Sequence, residues 1–139
     1  MLSVPLPLEL LDIGGEGRHA DAWNLNPSAV KTFGAERGQP IPRHLSGRAD
    51  QIPLPDRSVR QIIMERTPLL TAGLREIARV ITADGRVTLR HRVVAGRDPH
   101  APAVRLLGGQ SCQRTYYLGP HELQETVILL NTPSDFQCE

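Results

Sequence analysis

The sequence predicts an α/β fold built on a mostly parallel sheet, and three features predict it. Short apolar runs at residues 8–13, 59–64 and 87–91 read as strands of the kind buried on both faces. Between the second and third lies a helix pattern at 69–81. There Leu70, Leu74, Ile77, Ala78 and Ile81 recur at spacings of three and four, and Arg75, Glu76 and Arg79 take the outer side. Strands alternating with helices imply parallel neighbours. The third feature is the turn Gly14-Gly15-Glu16-Gly17 directly after the first strand, where a glycine turn can cradle a cofactor.

Taken in order, residues 8–13 form the first strand, and 22–25 a weaker second one. Residues 27–33 have the length of about two helical turns, with Asn26 as N-cap and Pro27 at the first helical position. Residues 38–42 are loop and 43–46 a short strand. The proline-rich run 50–56 is irregular, because prolines supply no ladder donors. After the strand at 59–64 and the helix at 69–81, Asp84-Gly85 marks a tight turn before the strand at 87–91. Residues 102–107 suit a short helix closed by Gly108-Gly109. Runs 112–118 and 123–130 are β-rich, and Gly119-Pro120-His121-Glu122 joins them as a hairpin that adds one antiparallel strand.

At 139 residues the chain is expected to be one domain, 1–139. Formal net charge is +1, which gives no general reason to expect nucleic acid or an anionic membrane. Six arginines (86, 90, 92, 97, 105 and 114) nevertheless stand against two aspartates between Asp84 and Arg114. That cluster reads as a solvated face, with an anionic-partner site as the alternative. Cys112 and Cys138 have no metal-ligand spacing and are expected to be reduced thiols in a cytoplasmic protein. No stretch approaches a membrane-spanning length, and residues 1–8 have no basic leader pattern. The five histidines show no paired spacing, so no metal is expected.

Two further stretches carry a resemblance. "GRADQIPLPDRSVRQIIME" (47–65) resembles the middle of class I S-adenosylmethionine-dependent methyltransferases, which typically read like GDAEALPFPDNSFDVV. "LREIARVITADGRVTL" (74–89) resembles their LxExxRVLKPGGRLVL segment. With "LLDIGGEGR" in front, the three stand in the family's order and cover most of 10–89, in a minimal and divergent form of the type 11 group. The resemblance implies a Rossmann-like sheet ordered 3-2-1-4-5-7-6 with strand 7 antiparallel, and S-adenosylmethionine as cofactor beside strand 1. It assigns the cofactor to Asp12, facing the methionine amino group, to the turn glycines Gly14, Gly15 and Gly17, to Asn24 or Asn26 at the ribose, and to Arg48, Ala49 and Asp50 near the adenine.

The departures all bear on that cofactor. The family turn Asp-x-Gly-x-Gly-x-Gly is one residue short here. An asparagine replaces the ribose carboxylate and forfeits its charge-assisted bonds. Arg48 stands where an adenine-contacting Asp is usual. The first crossover helix is missing or very short: residues 18–22 make less than two turns at about 1.5 Å each. A parallel pair needs a crossover of roughly ten or more residues. Residues 23–26 are therefore expected either to pair differently from a second strand or to be an extended loop. Arg18 and His19 could replace the positive helix end, or be solvated loop residues. Trp23 would cover the adenine or fill the space the helix vacated. Residues 1–8 leave no room for a lid helix, so the substrate site is expected to be open, or completed by a second copy or a protein partner.

Methyl transfer is largely positioning, so few groups need announce it. Glu65 and Arg66, just past strand 4, stand where the resemblance implies binding or deprotonation of the acceptor, with Glu65 as a loop-entrance carboxylate the alternative. His91, past strand 5, is the candidate general base, with a structural role as its alternative. Tyr116 and Tyr117 point to opposite faces, so one at most lines the cleft and the other packs in the core. The first reading is therefore an S-adenosylmethionine-dependent methyltransferase with a minimal core and an open acceptor site. The alternative is a catalytically inactive methyltransferase-like module that binds a partner or regulates. A third keeps the fold with another nucleotide, its phosphate held by Arg18 and Arg48.

Overall fold

The computed structural model describes residues 4–133 and 135–138. Its elements are β1 (Leu11–Ile13), β2 (Trp23–Asn26), β3 (His44–Ser46), β4 (Val59–Glu65), α1 (Thr71–Val80), β5 (Ile81–Arg92), α2 (Ala101–Leu107), β6 (Gln110–Leu118) and β7 (His121–Leu129). They form a seven-stranded sheet in the order β3-β2-β1-β4-β5-β7-β6, with β7 antiparallel to both of its neighbours. The order and the single antiparallel strand agree with the sequence expectation. β1 and β4 lie at the centre, and their apolar residues Leu11, Ile13, Val59, Ile62 and Met64 are almost wholly buried. One cluster joins them to Leu74, Ile77 and Val80 of α1 and to Val87, Leu89 and Ile128 across the sheet.

Several local expectations change. The first strand is shorter than 8–13; Leu8 makes only an isolated bridge to Val59. β2 does pair parallel with β1, in the register Leu11↔Trp23, Asp12↔Asn24 and Ile13↔Leu25. The crossover is the loop 14–22 with no helix in it. Such a loop closes a parallel pair because its turns are tied inward: the Gly14 N–H donates to Leu25 O at 2.8 Å and the Trp23 N–H to Leu10 O at 3.0 Å. The expected helix at 27–33 is absent. The Asn26 Oδ1 accepts from Ser28 N–H at 2.9 Å, closing a turn instead of capping a helix. The chain then runs out and back as an arm, pinned by bonds from Lys31 N–H to Gln39 O and from Gly38 N–H to Lys31 O, each 2.8 Å.

On the other side α1 passes straight into β5, and Asp84-Gly85 is a bulge within that strand instead of a turn before it. Val59 pairs with Ile81 but Gln61 with Arg86, so residues 82–85 are accommodated out of register. A Cβ at Gly85 would strike the Ile81 side chain, which explains the glycine. The β6–β7 hairpin turns on Gly119-Pro120 alone, with Gly119 at φ 60°, as a tight two-residue turn requires. Cys112 and Cys138 are not free thiols but a disulfide, with Cα atoms 5.6 Å apart, that ties the C-terminal segment to β6. Their separation of 26 residues carries no spacing signal, and only the return of the chain past the sheet edge brings them together.

Candidate functional site

The carboxyl ends of β1, β4 and β5 open into a cavity of about 850 Å³, within the range of small-molecule sites. Its floor includes Gly14, Gly17, Arg18, Glu65, Arg66, Thr67 and Arg90. One wall is the arm from Lys31 to Glu36, and the other is Tyr116, Leu118 and Leu123 of the hairpin. Of the residues expected from sequence to hold a cofactor, Gly14 and Gly17 line this cavity. Asp12, Gly15, Asn26, Arg48, Ala49 and Asp50 do not.

The glycine turn is tightly filled by the chain itself. Gly14 has φ 78° and sits against the Thr67 hydroxyl, where a Cβ would collide. A Cβ on Gly15 would meet Asn24 and lie 2.5 Å from Asp12 Cγ, and one on Gly17 would lie 2.9 Å from Pro42 Cγ. Thr67 is held there by its bond to Ile13 O at 3.2 Å. Asn24, fully buried, accepts from Gly17 N–H at 3.2 Å and donates to Pro42 O at 2.8 Å. Asn26 donates to Gly15 O at 3.2 Å. The two asparagines thus bond to backbone groups around the glycine turn, where an ordinary crossover would place a helix.

Asp12 is completely buried, and both its oxygens receive Arg18, at 2.7 and 2.9 Å. Burial pushes its carboxyl above the ordinary range, against the pull of that bond. From Arg18 an ion-pair chain crosses the strand ends. Glu65 Oε2 lies 3.8 Å from Arg18, while Glu65 Oε1 takes His19 at 2.6 Å and Arg90 at 2.8 Å. Arg90 continues to Glu125 at 2.8 Å, and Glu125 to Arg114 at 2.8 Å. Burial raises the Glu65 pKa, but the bond to His19 and the charges of Arg18 and Arg90 outweigh it and hold it below the carboxylate range. Arg18 thus pairs with Asp12 and His19 hydrogen-bonds Glu65, so both loop residues are engaged at the strand ends. Trp23 is half-buried against the core and does not line the cavity.

His91 lies inside β5, not past its end, and points away from the cavity into a relay. Its Nε2 meets Thr67 O at 2.7 Å and its Nδ1 meets His100 Nε2 at 2.8 Å; His100 Nδ1 meets the Thr126 hydroxyl at 2.6 Å. A carbonyl only accepts, so Nε2 carries the proton of neutral His91. Nδ1 then accepts from His100, which accepts from Thr126. Burial lowers the pKa of His91, and burial with the neighbouring His91 takes that of His100 down to about 4. Tyr116 lines the cavity as one of the tyrosine pair should, but Tyr117 is 71% exposed, because β6 is the sheet edge and has no core behind that face. The arm with Phe33 and the loop residue Thr67 carry no advance signal in the sequence. Arg90 belongs to the arginine cluster, which is thus not solely a solvated face.

Solved structures share this architecture. YcgJ from Bacillus subtilis matches with a TM-score of 0.58 at 21% identity, over 79% of this chain and 65% of that one. This is the class I methyltransferase fold. A SAM-dependent methyltransferase from Aquifex aeolicus matches at 0.54 and 14% identity, covering 89% of this chain and 82% of that one. A 16S rRNA adenine methyltransferase from Catenulisporales acidiphilia, crystallised with its cosubstrate SAM, matches at 0.56 and 14%, covering 91% and 86%. No family model matches the sequence, and no curated protein does. Within the methyltransferase fold, the cavity stands at the strand-order reversal between β1 and β4.

Proposed function

We propose that this chain is a binding module on the methyltransferase fold that does not perform methyl transfer. The observation that carries the reading is the filled glycine turn. Thr67, Asn24, Asp12 and Pro42 lie where Cβ atoms on the three glycines would stand, so the chain's own packing accounts for these glycines without a cofactor. Apart from Gly14 and Gly17, the positions where the resemblance puts S-adenosylmethionine are off the cavity or engaged by the chain. Asp12 gives both oxygens to Arg18, and Asn24 and Asn26 spend their carboxamides on backbone groups. The adenine residues Arg48, Ala49 and Asp50 lie off the cavity, with Arg48 exposed and 3.4 Å from Asp50. Glu65, held ionised by its cationic partners, is a weak proton acceptor, and both ring nitrogens of His91 are committed. No step of methyl transfer is assigned to these residues.

The competing reading, a transferase with a minimal core and an open acceptor site, draws support from the cavity beside Gly14 and Gly17 and from the fold neighbours. Under either reading, a second copy or a protein partner would complete the open side. No helix among the described residues is long and apolar enough to cross a membrane. The cytoplasmic expectation rested on free thiols, and the Cys112–Cys138 bond removes that support. Calorimetric titration and thermal unfolding with S-adenosylmethionine test the proposal. No heat and an unchanged Tm at millimolar cofactor are expected. Saturable heat with stabilisation, about 2.7 kcal/mol at a hundred times Kd, would contradict the proposal's account of the glycine turn and favour the transferase reading.

A further inference from the structure

The cavity has an asymmetry in its hydrogen bonding. Each carboxylate that lines it is engaged by the chain. Glu16 accepts the Thr32 N–H at 2.9 Å and the Thr32 hydroxyl, and Glu36 pairs with Lys31 at 2.9 Å. Glu65 takes His19 and Arg90. The donors are not matched in this way. Arg66 lines the cavity and has no ion pair or side-chain hydrogen bond among the described residues. Arg18 spends Nε and Nη2 on Asp12 and leaves Nη1; Arg90 spends Nε and Nη1 on Glu125 and Glu65 and leaves Nη2. A guanidinium carries five donors in a fixed fork, so Arg66 stands without a side-chain partner among the described residues where each lining carboxylate has at least one, and Arg18 and Arg90 each keep donors unused. Unfilled cationic donors lining a cavity favour an anionic acceptor.

The walls point to the rest of the ligand. Phe33 is 68% exposed and Leu118 52%, and they face the same cavity from the arm and the hairpin, with Tyr116 and Leu123 beside Leu118. An apolar body between them would remove that surface from water. Neither wall hangs free: the Glu16–Thr32 bonds tie the arm to the glycine turn, and the ladder with β7 holds the hairpin.

We infer that the cavity binds a monoanionic amphipathic small molecule, a carboxylate on an aromatic or alkyl body, with the carboxylate against Arg66 and the body between Phe33 and Leu118. The inference rests on reading the cavity as a binding site without methyl transfer. It is tested by calorimetric titration of the full chain with 2-naphthoate and its neutral analogue 2-naphthamide, each variant being checked for an unchanged melting curve. The naphthoate is expected to bind roughly tenfold or more tightly than the amide. Arg66→Gln should erase that preference and Arg66→Lys keep most of it, while Leu118→Asp should weaken both compounds by about tenfold. Equal binding of the two compounds, no binding of either at millimolar concentration, or a preference that survives in Arg66→Gln would overturn it. Heat with S-adenosylmethionine bears on the absence of methyl transfer and the naphthoate preference on the ligand class, so the two ideas fail separately.

Discussion

The two sides of the sheet are built by different physics. On the β4-β5-β7-β6 side, α1 covers the sheet with Leu74, Ile77 and Val80, and the strands run seven to twelve residues. On the β3-β2-β1 side the strands have three or four residues, and none of the connections 14–22, 27–43 and 47–58 contains a helix. There the sheet holds because buried side chains bond to the loops: Asn24 to the backbone of Gly17 and Pro42, Asn26 to that of Gly15 and Ser28, and Asp12 to the Arg18 side chain of its own crossover. An amphipathic helix buries apolar area and leaves the strand ends open. Polar side chains that replace a helix must reach the same loop backbone, and in doing so they fill the space beside the glycine turn. The loss of the crossover helix and the packing of side chains against the glycine turn are thus one structural event.

The contrast can be broken at either side. The largest effect is expected from Ile77→Ala, which opens a cavity in a fully buried site and should cost about 4 kcal/mol in urea unfolding. The binding of a cavity ligand to the surviving folded fraction should be unchanged. Arg18→Ala leaves Asp12 buried without its partner and should cost about 3 kcal/mol. A loss below about 1 kcal/mol would show that the Asp12–Arg18 pair does not hold the crossover.

Acid acts on the helix-covered side. His100 titrates at about 4 in the fold against 6.5 ordinarily, and His91 is shifted the same way. The unfolded chain therefore binds more protons between these values, so stability is complete above about pH 6.5 and falls as the pH drops toward 4. The loss should be roughly 2–3 kcal/mol. The neighbouring groups are Asp98, whose pKa lies below the ordinary value, and Gln124 and Thr126, which carry no charge. His100→Gln should flatten the slope in chemical unfolding measured across this window. An undiminished slope would assign it to other groups.

A smaller effect is expected from Asn24→Ala, about 2 kcal/mol, because it strands the Gly17 N–H and the Pro42 carbonyl. Asn24→Asp sharpens the comparison more. It restores the family's carboxylate, yet it cannot donate to Pro42 O, so thermal unfolding should show destabilisation and no recovered cofactor affinity.

Much of the helix-covered side was legible in the sequence. The period of Leu74, Ile77 and Ile81 and the apolar runs at 59–64 and 87–91 reflect burial, which writes itself into hydrophobic pattern, whereas Leu70 caps α1 and is exposed. The sheet order followed from the ordered resemblance at residues 10–17, 47–65 and 74–89. The helix-poor side was legible only as a set of departures. Asn24 and Asn26 read as weakened ribose ligands, whereas they are buried hydrogen-bond anchors. Gly14, Gly15 and Gly17 read as room for a ligand; side chains of Thr67, Asn24, Asp12 and Pro42 lie where their Cβ atoms would stand, while Gly14 and Gly17 also line the cavity. A glycine records that something lies close by and does not say whether it is a ligand or the protein. His91 was placed near the right strand end, but its partner His100 arrives from the loop before α2, a contact with no local signature.

The central claim is that the glycine turn is packed by the chain itself. Amide NMR of the full protein, with S-adenosylmethionine added to millimolar concentration, tests it at the atoms concerned. The expected result is that the Gly14, Gly15 and Gly17 resonances do not move. Saturable shifts at those three glycines, accompanied by movement of the Asn24 side-chain amide, would contradict it.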